Sequence, residues 1–148
     1  MGFKSLEHEQ SYNRNLFFLK FPNEILKTEF TFYPFPRIEQ GRQEHGVTLD
    51  SLLDIAVNKL FTMYQQTRAR DYIDLYYICQ KQNWSIADLI KHAKAKFDWH
   101  IDPIQLGTQF QRAAEASDYP RLVKKLDPKT WQDFFTQESR KLESNVIN

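Results

Sequence analysis

Lys59 falls inside an apolar helical arc. At about 100° per residue, Leu49, Leu52, Leu53, Ala56, Val57, Leu60, Met63 and Tyr64 share one side, and Ile55 widens it. Lys59 lies between Ile55 and Leu52 on that arc. A lysine so placed snorkels to water, pairs with an acid, or faces a site. The following helical stretch supplies acids. Asp71 and Asp74 are three residues apart and share a face with Leu75 and Ile78. Asp71 sits near the helix start, where a carboxylate complements the dipole. Asp74 lies one turn further along, within the apolar stripe. A Lys59–Asp74 pair across a helix hairpin satisfies both groups. It is either a clamp between two helices or a site for an anionic substrate or a metal. Glu29 is a third candidate. It shares a strand face with Lys27, Thr31 and Tyr33, and plain solvation is the simpler explanation for it.

Other chemistries find little support. His8, His45, His92 and His100 lack metal-ligand spacing, and Cys79 is the one cysteine, so it has no partner for a ligand pair or an internal disulfide. Four glycines in all form no phosphate loop, and there is no nucleophile elbow. Lys91, His92, Lys94 and Lys96 make a basic stretch that could touch RNA phosphates or simply be a solvated helix face. The formal net charge is +1, from 20 basic and 19 acidic residues, which gives no bulk attraction to nucleic acid or anionic membrane. Hydrophobic residues are 41% and aromatics 15%, so the 148 residues can build one core. No apolar run reaches the roughly 18 residues of a membrane span, and the polar N-terminus lacks a secretory signal. A reducing, cytoplasmic setting fits.

The elements that would carry these side chains follow from periodicity. Residues 1–14 are polar and expected to be loose. Leu16–Phe21 reads as a strand, Pro22-Asn23 as a turn, and Ile25–Tyr33 alternates as a second strand ended by Pro34 and Pro36. Residues 39–46 read as a loop. Thr48 or Asp50 caps a first helix running to about Gln66, and a second runs from Ala69 or Arg70 to Gln82. Ser85 with Asp88 opens a third, to Phe97. Asp102-Pro103 and Asp127-Pro128 open helices near 103–116 and 128–143, and Ser144–Asn148 should fray. The fold class is α+β, mainly α: an N-terminal β-hairpin over 15–46, then a bundle of about five helices over 47–148, expected as a single globular unit.

Two segments then show a resemblance. Leu49-Asp50-Ser51-Leu52-Leu53-Asp54-Ile55-Ala56-Val57-Asn58-Lys59-Leu60, followed by Arg70-Asp71-Tyr72-Ile73-Asp74-Leu75-Tyr76, resembles the AbiEii/AbiGii toxin family of nucleotidyltransferases. The family has an L-x-D-I-A-x-x-K-L helix and then R-D-x-x-D-L-Y. Leu26-Lys27-Thr28-Glu29-Phe30 resembles its l-K-i-E/D-f strand, and the likeness extends over roughly Leu19 to Cys79. It implies a DNA-polymerase-β-like enzyme that moves a nucleotide from an NTP to an acceptor such as RNA, with Mg2+ ions held by carboxylates. Carried over residue by residue, Glu29 matches a strand carboxylate and metal ligand. Lys59 matches a phosphate-contacting lysine, and Arg70 and Asp71 join it in binding substrate. Asp74 is the acid with a catalytic role. A Gly-Ser…Asp-x-Asp segment normally supplies the other carboxylates. Gly2 and Ser5 are not followed by Asp-x-Asp. The resemblance therefore implies a truncated, C-terminal piece that is inactive alone. Its partners would be a separate nucleotidyltransferase head or an antitoxin-type protein. The alternative is a non-catalytic helical module that binds a protein.

Overall fold

The structure, a computed structural model, describes residues 2–147. An N-terminal antiparallel three-stranded sheet precedes five helices among the described residues, so the fold is α+β and mainly α. The chain divides into two compact units, Met1–Phe35 and Pro36–Asn148.

The first unit contains β1 (Ser5–Ser11), β2 (Arg14–Lys20) and β3 (Ile25–Thr31), in that spatial order. The expected hairpin is β2–β3, with Leu16 opposite Glu29 and Leu19 opposite Leu26. Phe21 N–H donates to the Glu24 carbonyl at 2.8 Å and closes the turn holding Pro22-Asn23. β1 differs from the loose segment expected over residues 1–14, of which Met1 lies outside the described residues. Its polar side chains gain a strand because β2 supplies the ladder, pairing Leu6 with Leu19 and His8 with Phe17. The His8 ring stacks on Phe17 at 4.5 Å.

The second unit opens with a short ribbon, β4 (Gln43–Glu44) and β5 (Val47–Thr48), inside the segment expected as loop. His45 and Gly46 turn it with φ of 47° and 80°, both positive, as a tight hairpin requires. Gly41 allows a close backbone approach: a Cβ there would lie 1.8 Å from the Leu49 carbonyl oxygen.

α1 (Leu52–Gln65) starts later than the expected caps imply. Ser51, not Thr48 or Asp50, is the N-cap, and its Oγ accepts from the Asp54 N–H at 3.0 Å. Asp50 pairs instead with Arg37. α2 (Ala69–Gln82) has no cap from its own preceding side chain, and Asp118, far along the chain, accepts from the Ala69 N–H at 2.8 Å. Asn83 ends α2 in the left-handed region, with φ of 54°. α3 (Ile86–Phe97) is capped by Ser85 and Asp88 as expected. α4 (Pro103–Gln111) begins at Asp102-Pro103, and its final expected turn is a 3-10 segment, Arg112–Glu115. α5 (Pro128–Ile147) continues beyond residue 143 into the segment expected to fray; Asn148 lies outside the described residues.

The core lies among these helices. Leu60 and Met63 of α1, Tyr72 and Leu75 of α2, Phe110 of α4, and Trp131 and Phe135 of α5 are fully buried. The Tyr72 ring meets Phe135 edge-on at 5.0 Å, and its hydroxyl donates to the Gln109 carbonyl. Leu49 and Leu52, placed on the apolar arc by periodicity, are exposed, because they lie before and at the start of α1.

Candidate functional site

α1 and α2 form an antiparallel-type hairpin joined by residues 66–68, which brings the last half of α1 beside the first turns of α2. Lys59 Nζ donates to Asp71 Oδ1 at 2.8 Å and to Asp74 Oδ2 at 2.6 Å. The three side chains are 21%, 4% and 44% exposed, so Asp71 is the sunken member and Asp74 the one facing water. Spacing explains the fork: residues three apart on α2 lie on one face, within reach of a single ammonium.

Asp71 Oδ2 is buried and has no hydrogen-bond partner. Such an acceptor is costly unless something completes it. Asp71 itself is one wall residue of an open cleft of about 270 Å³, lined also by Ile55, Asn58, Lys59, Thr62 and Arg68. The cleft thus presents the carboxylate-bound Lys59 ammonium and Arg68, with Asp71 Oδ2 buried behind them. Arg70 is exposed and is not among the lining residues; Arg68, which sequence reasoning passed over, is. Arg68 precedes α2 in extended backbone, outside the helical pattern that drew attention to Arg70.

Glu29 belongs to the first unit, on β3. Its carboxylate accepts from Thr31 Oγ1 at 3.1 Å and lies 3.5 Å from Arg14 Nη1. These neighbours do not suit a metal ligand, since one is a cation. Between Asp71 and Asp74 the Lys59 ammonium already occupies the position a cation would take. Among the described residues no group of three or more histidine, cysteine, aspartate or glutamate side chains could hold a metal ion. The donor set of this chain therefore does not fit magnesium by itself.

A second ion pair escaped the sequence. Asp54 and Lys96 are almost wholly buried, with Lys96 Nζ donating to Asp54 Oδ1 at 2.6 Å. Asp54 also accepts from the Ile38 and Glu39 N–H groups and from Ser51 Oγ. Burial pushes its carboxyl up, but the bonds from Lys96, Ile38, Glu39 and Ser51 together outweigh burial and hold it at about 2. This network fixes the chain entering α1 to α3 and is structural. Lys96 accordingly leaves the basic stretch of α3, whose Lys91 pairs with Asp88. The signal for Asp54 was its place three residues after Ser51, a capping-box position. Cys79 is buried, and burial pushes its thiol up to about 12, so it is no nucleophile at neutral pH.

No helix among the described residues is long and apolar enough to cross a membrane. No curated protein and no solved structure matches the chain. The profile of the nucleotidyl transferase AbiEii toxin of a type IV toxin–antitoxin system matches residues 22–144. That span holds Glu29, the Lys59–Asp71–Asp74 fork and all five helices' cores, and the chain belongs to the AbiEii family of nucleotidyl transferase toxins.

Proposed function

We propose that this chain is the nucleotide-handling helical lobe of a transfer enzyme and that it does not transfer nucleotides alone. The observation that carries this reading is the Lys59 ammonium, shared by Asp71 and Asp74 at the wall of an open cleft. An NTP phosphate entering the cleft meets Lys59 and Arg68, and Asp71, bonded to Lys59 through Oδ1, holds the ammonium at the wall. Asp74, the more exposed acid, releases Lys59 toward the phosphate while Asp71 retains it. Lys59 is then positioned for charge stabilisation as phosphate charge develops. In the family reading Glu29 is a strand carboxylate, Arg70 adds positive charge at the cleft's approach, Mg2+ and NTP are the cofactor and donor, and RNA is the acceptor. The carboxylates needed for two-metal chemistry would come from a nucleotidyltransferase head carrying Gly-Ser…Asp-x-Asp, and an antitoxin-type protein would be its cellular counterpart, in the cytoplasm.

The test is transfer of label from an α-phosphate-labelled NTP to tRNA with magnesium. The chain alone should leave the RNA unlabelled. Addition of a polypeptide carrying Gly-Ser…Asp-x-Asp should restore labelling, and Lys59→Ala should abolish it. Labelling by the chain alone contradicts the inactivity. Equal labelling by Lys59→Ala contradicts the role of Lys59.

A second reading, a non-catalytic protein-binding module, is favoured by the first unit. Leu6 and Leu26 flank Leu19 in register on one sheet face, Phe30 sits edge-on to Phe17 at 5.8 Å, and Leu6, Leu26 and Phe30 are exposed. Such a face and the open edges of β1 and β3 suit a protein partner. A chain that binds no NTP yet loses self-association or partner capture with Phe30→Asp would favour this reading over the first.

A further inference from the structure

We propose that the loop between the 3-10 segment and α5, with the adjoining face of α2, binds an acidic polypeptide segment carrying an aliphatic or aromatic side chain. The loop reads Tyr119-Pro120-Arg121-Leu122-Val123-Lys124-Lys125-Leu126-Asp127. Leu126 packs against the core and anchors it. The residues before it point the other way: Val123 is 103% exposed, and Leu122 is exposed beside it. Tyr77 of α2, Leu122, Val123 and Lys124 line a shallow groove of about 310 Å³. Its walls are mainly apolar and have room for one apolar side chain.

Lys124 of the groove belongs to a cationic stretch of chain. Arg121, Lys124, Lys125 and Lys129 are exposed, and none forms an ion pair among the described residues. Elsewhere in this unit Lys59, Lys91, Lys96 and Arg112 pair with carboxylates, and the unpaired cations there are not gathered so closely in sequence. Of the neighbouring acids, Asp127 caps the Lys129 N–H and Asp118 caps the Ala69 N–H, and neither forms an ion pair among the described residues. Four free cations gathered in nine residues stand out in a chain whose net charge is only +1. Complementary potential then selects an acidic partner and sets its register. The apolar tip selects a polypeptide over a nucleic acid. Aliphatic side chains gain little from phosphates. The tyrosine rings beside the groove already have aromatic neighbours, Tyr76 for Tyr77 and Trp131 for Tyr119, at 5.7 and 6.3 Å. A partner segment would seat its apolar side chain against Tyr77 and Val123 and set flanking carboxylates against Arg121, Lys124 and Lys125.

The test pans a displayed library of random dodecapeptides on the full chain and measures the labelled enriched peptide by fluorescence anisotropy. Enriched peptides should combine aspartate or glutamate with a leucine, isoleucine or phenylalanine. Affinity should fall at least about tenfold with Val123→Asp and with the combined R121E, K124E and K125E variant, and it should weaken with salt. These positions are exposed, so circular dichroism should be unchanged, and Lys91→Glu on α3 should leave binding intact. No enrichment, enrichment of neutral or basic peptides, or affinity that survives both variants overturns the proposal. So does tighter binding of a single-stranded uridine oligonucleotide or of phosphatidylserine vesicles with the same sensitivity to the variants, which would assign the surface to RNA or to lipid.

Discussion

Lys96 Nζ lies 2.6 Å from Asp54 Oδ1, across 42 residues of sequence, with both groups out of contact with water. The pair joins the start of α1 to the end of α3. Removing one partner strands the other charge in the interior, which costs about 3–5 kcal/mol. Lys96→Met and Asp54→Ala should each lower the unfolding free energy by that order, measured by urea denaturation. Asp54→Ala should be the worse, since it also leaves the Ile38 and Glu39 N–H groups unpaired.

The same carboxylate sets an acid limit. Asp54 is held at about 2 in the folded chain, below its usual 3.8. A depressed folded value means the unfolded chain binds the proton first, so the stabilisation is full above pH 5 or so and drains away as pH falls through 3.8 toward 2. It amounts to roughly 2 kcal/mol. Thermal melts from neutral pH downward should show this loss, and Asp54→Asn should flatten the slope while starting from a lower melting temperature.

The two acids of the fork should behave differently. Asp71 is sunken and Asp74 open to solvent. Asp74→Ala should change stability by no more than about 1 kcal/mol, as exposed pairs do. Lys59→Met removes the one hydrogen bond to the buried Asp71 carboxylate and should cost about 1–3 kcal/mol. Urea midpoints of the two variants decide it, and equal losses would mean that Asp71 is not the structural anchor.

Gly41→Ala should destabilise the ribbon before α1, because its Cβ would fall 1.8 Å from the Leu49 carbonyl oxygen and the backbone there must move. The expected loss is about 1–3 kcal/mol. Hydrogen exchange of the Leu49 N–H, which donates to the Arg42 carbonyl at 2.8 Å, should quicken first.

Local chemistry was legible in the sequence. Ser85 with Asp88, Asp102-Pro103 and Asp127-Pro128 open helices where their caps indicate, because a cap acts within one turn. Lys59 was legible as a charge in an apolar arc, and Asp74 as its answer one helix later. What stayed hidden was non-local. β1 has a polar face pattern, and only pairing with β2 makes it a strand. The ribbon at Gln43–Thr48 rests on His45 in the left-handed region, which histidine adopts less readily than glycine. Asp71, explained from sequence by the helix dipole, turned out to be the buried arm of the fork. Asp54 and Lys96 meet only through the fold.

The most direct measurement is a calorimetric titration of the intact chain with ATP and the other NTPs, repeated with Lys59→Ala. The account predicts binding that weakens by at least about tenfold, or some 1.4 kcal/mol, when Lys59 is removed, and survives Asp74→Asn. Unaltered binding by Lys59→Ala, or no binding of any NTP to the intact chain, would contradict a nucleotide site at the Lys59–Asp71–Asp74 fork.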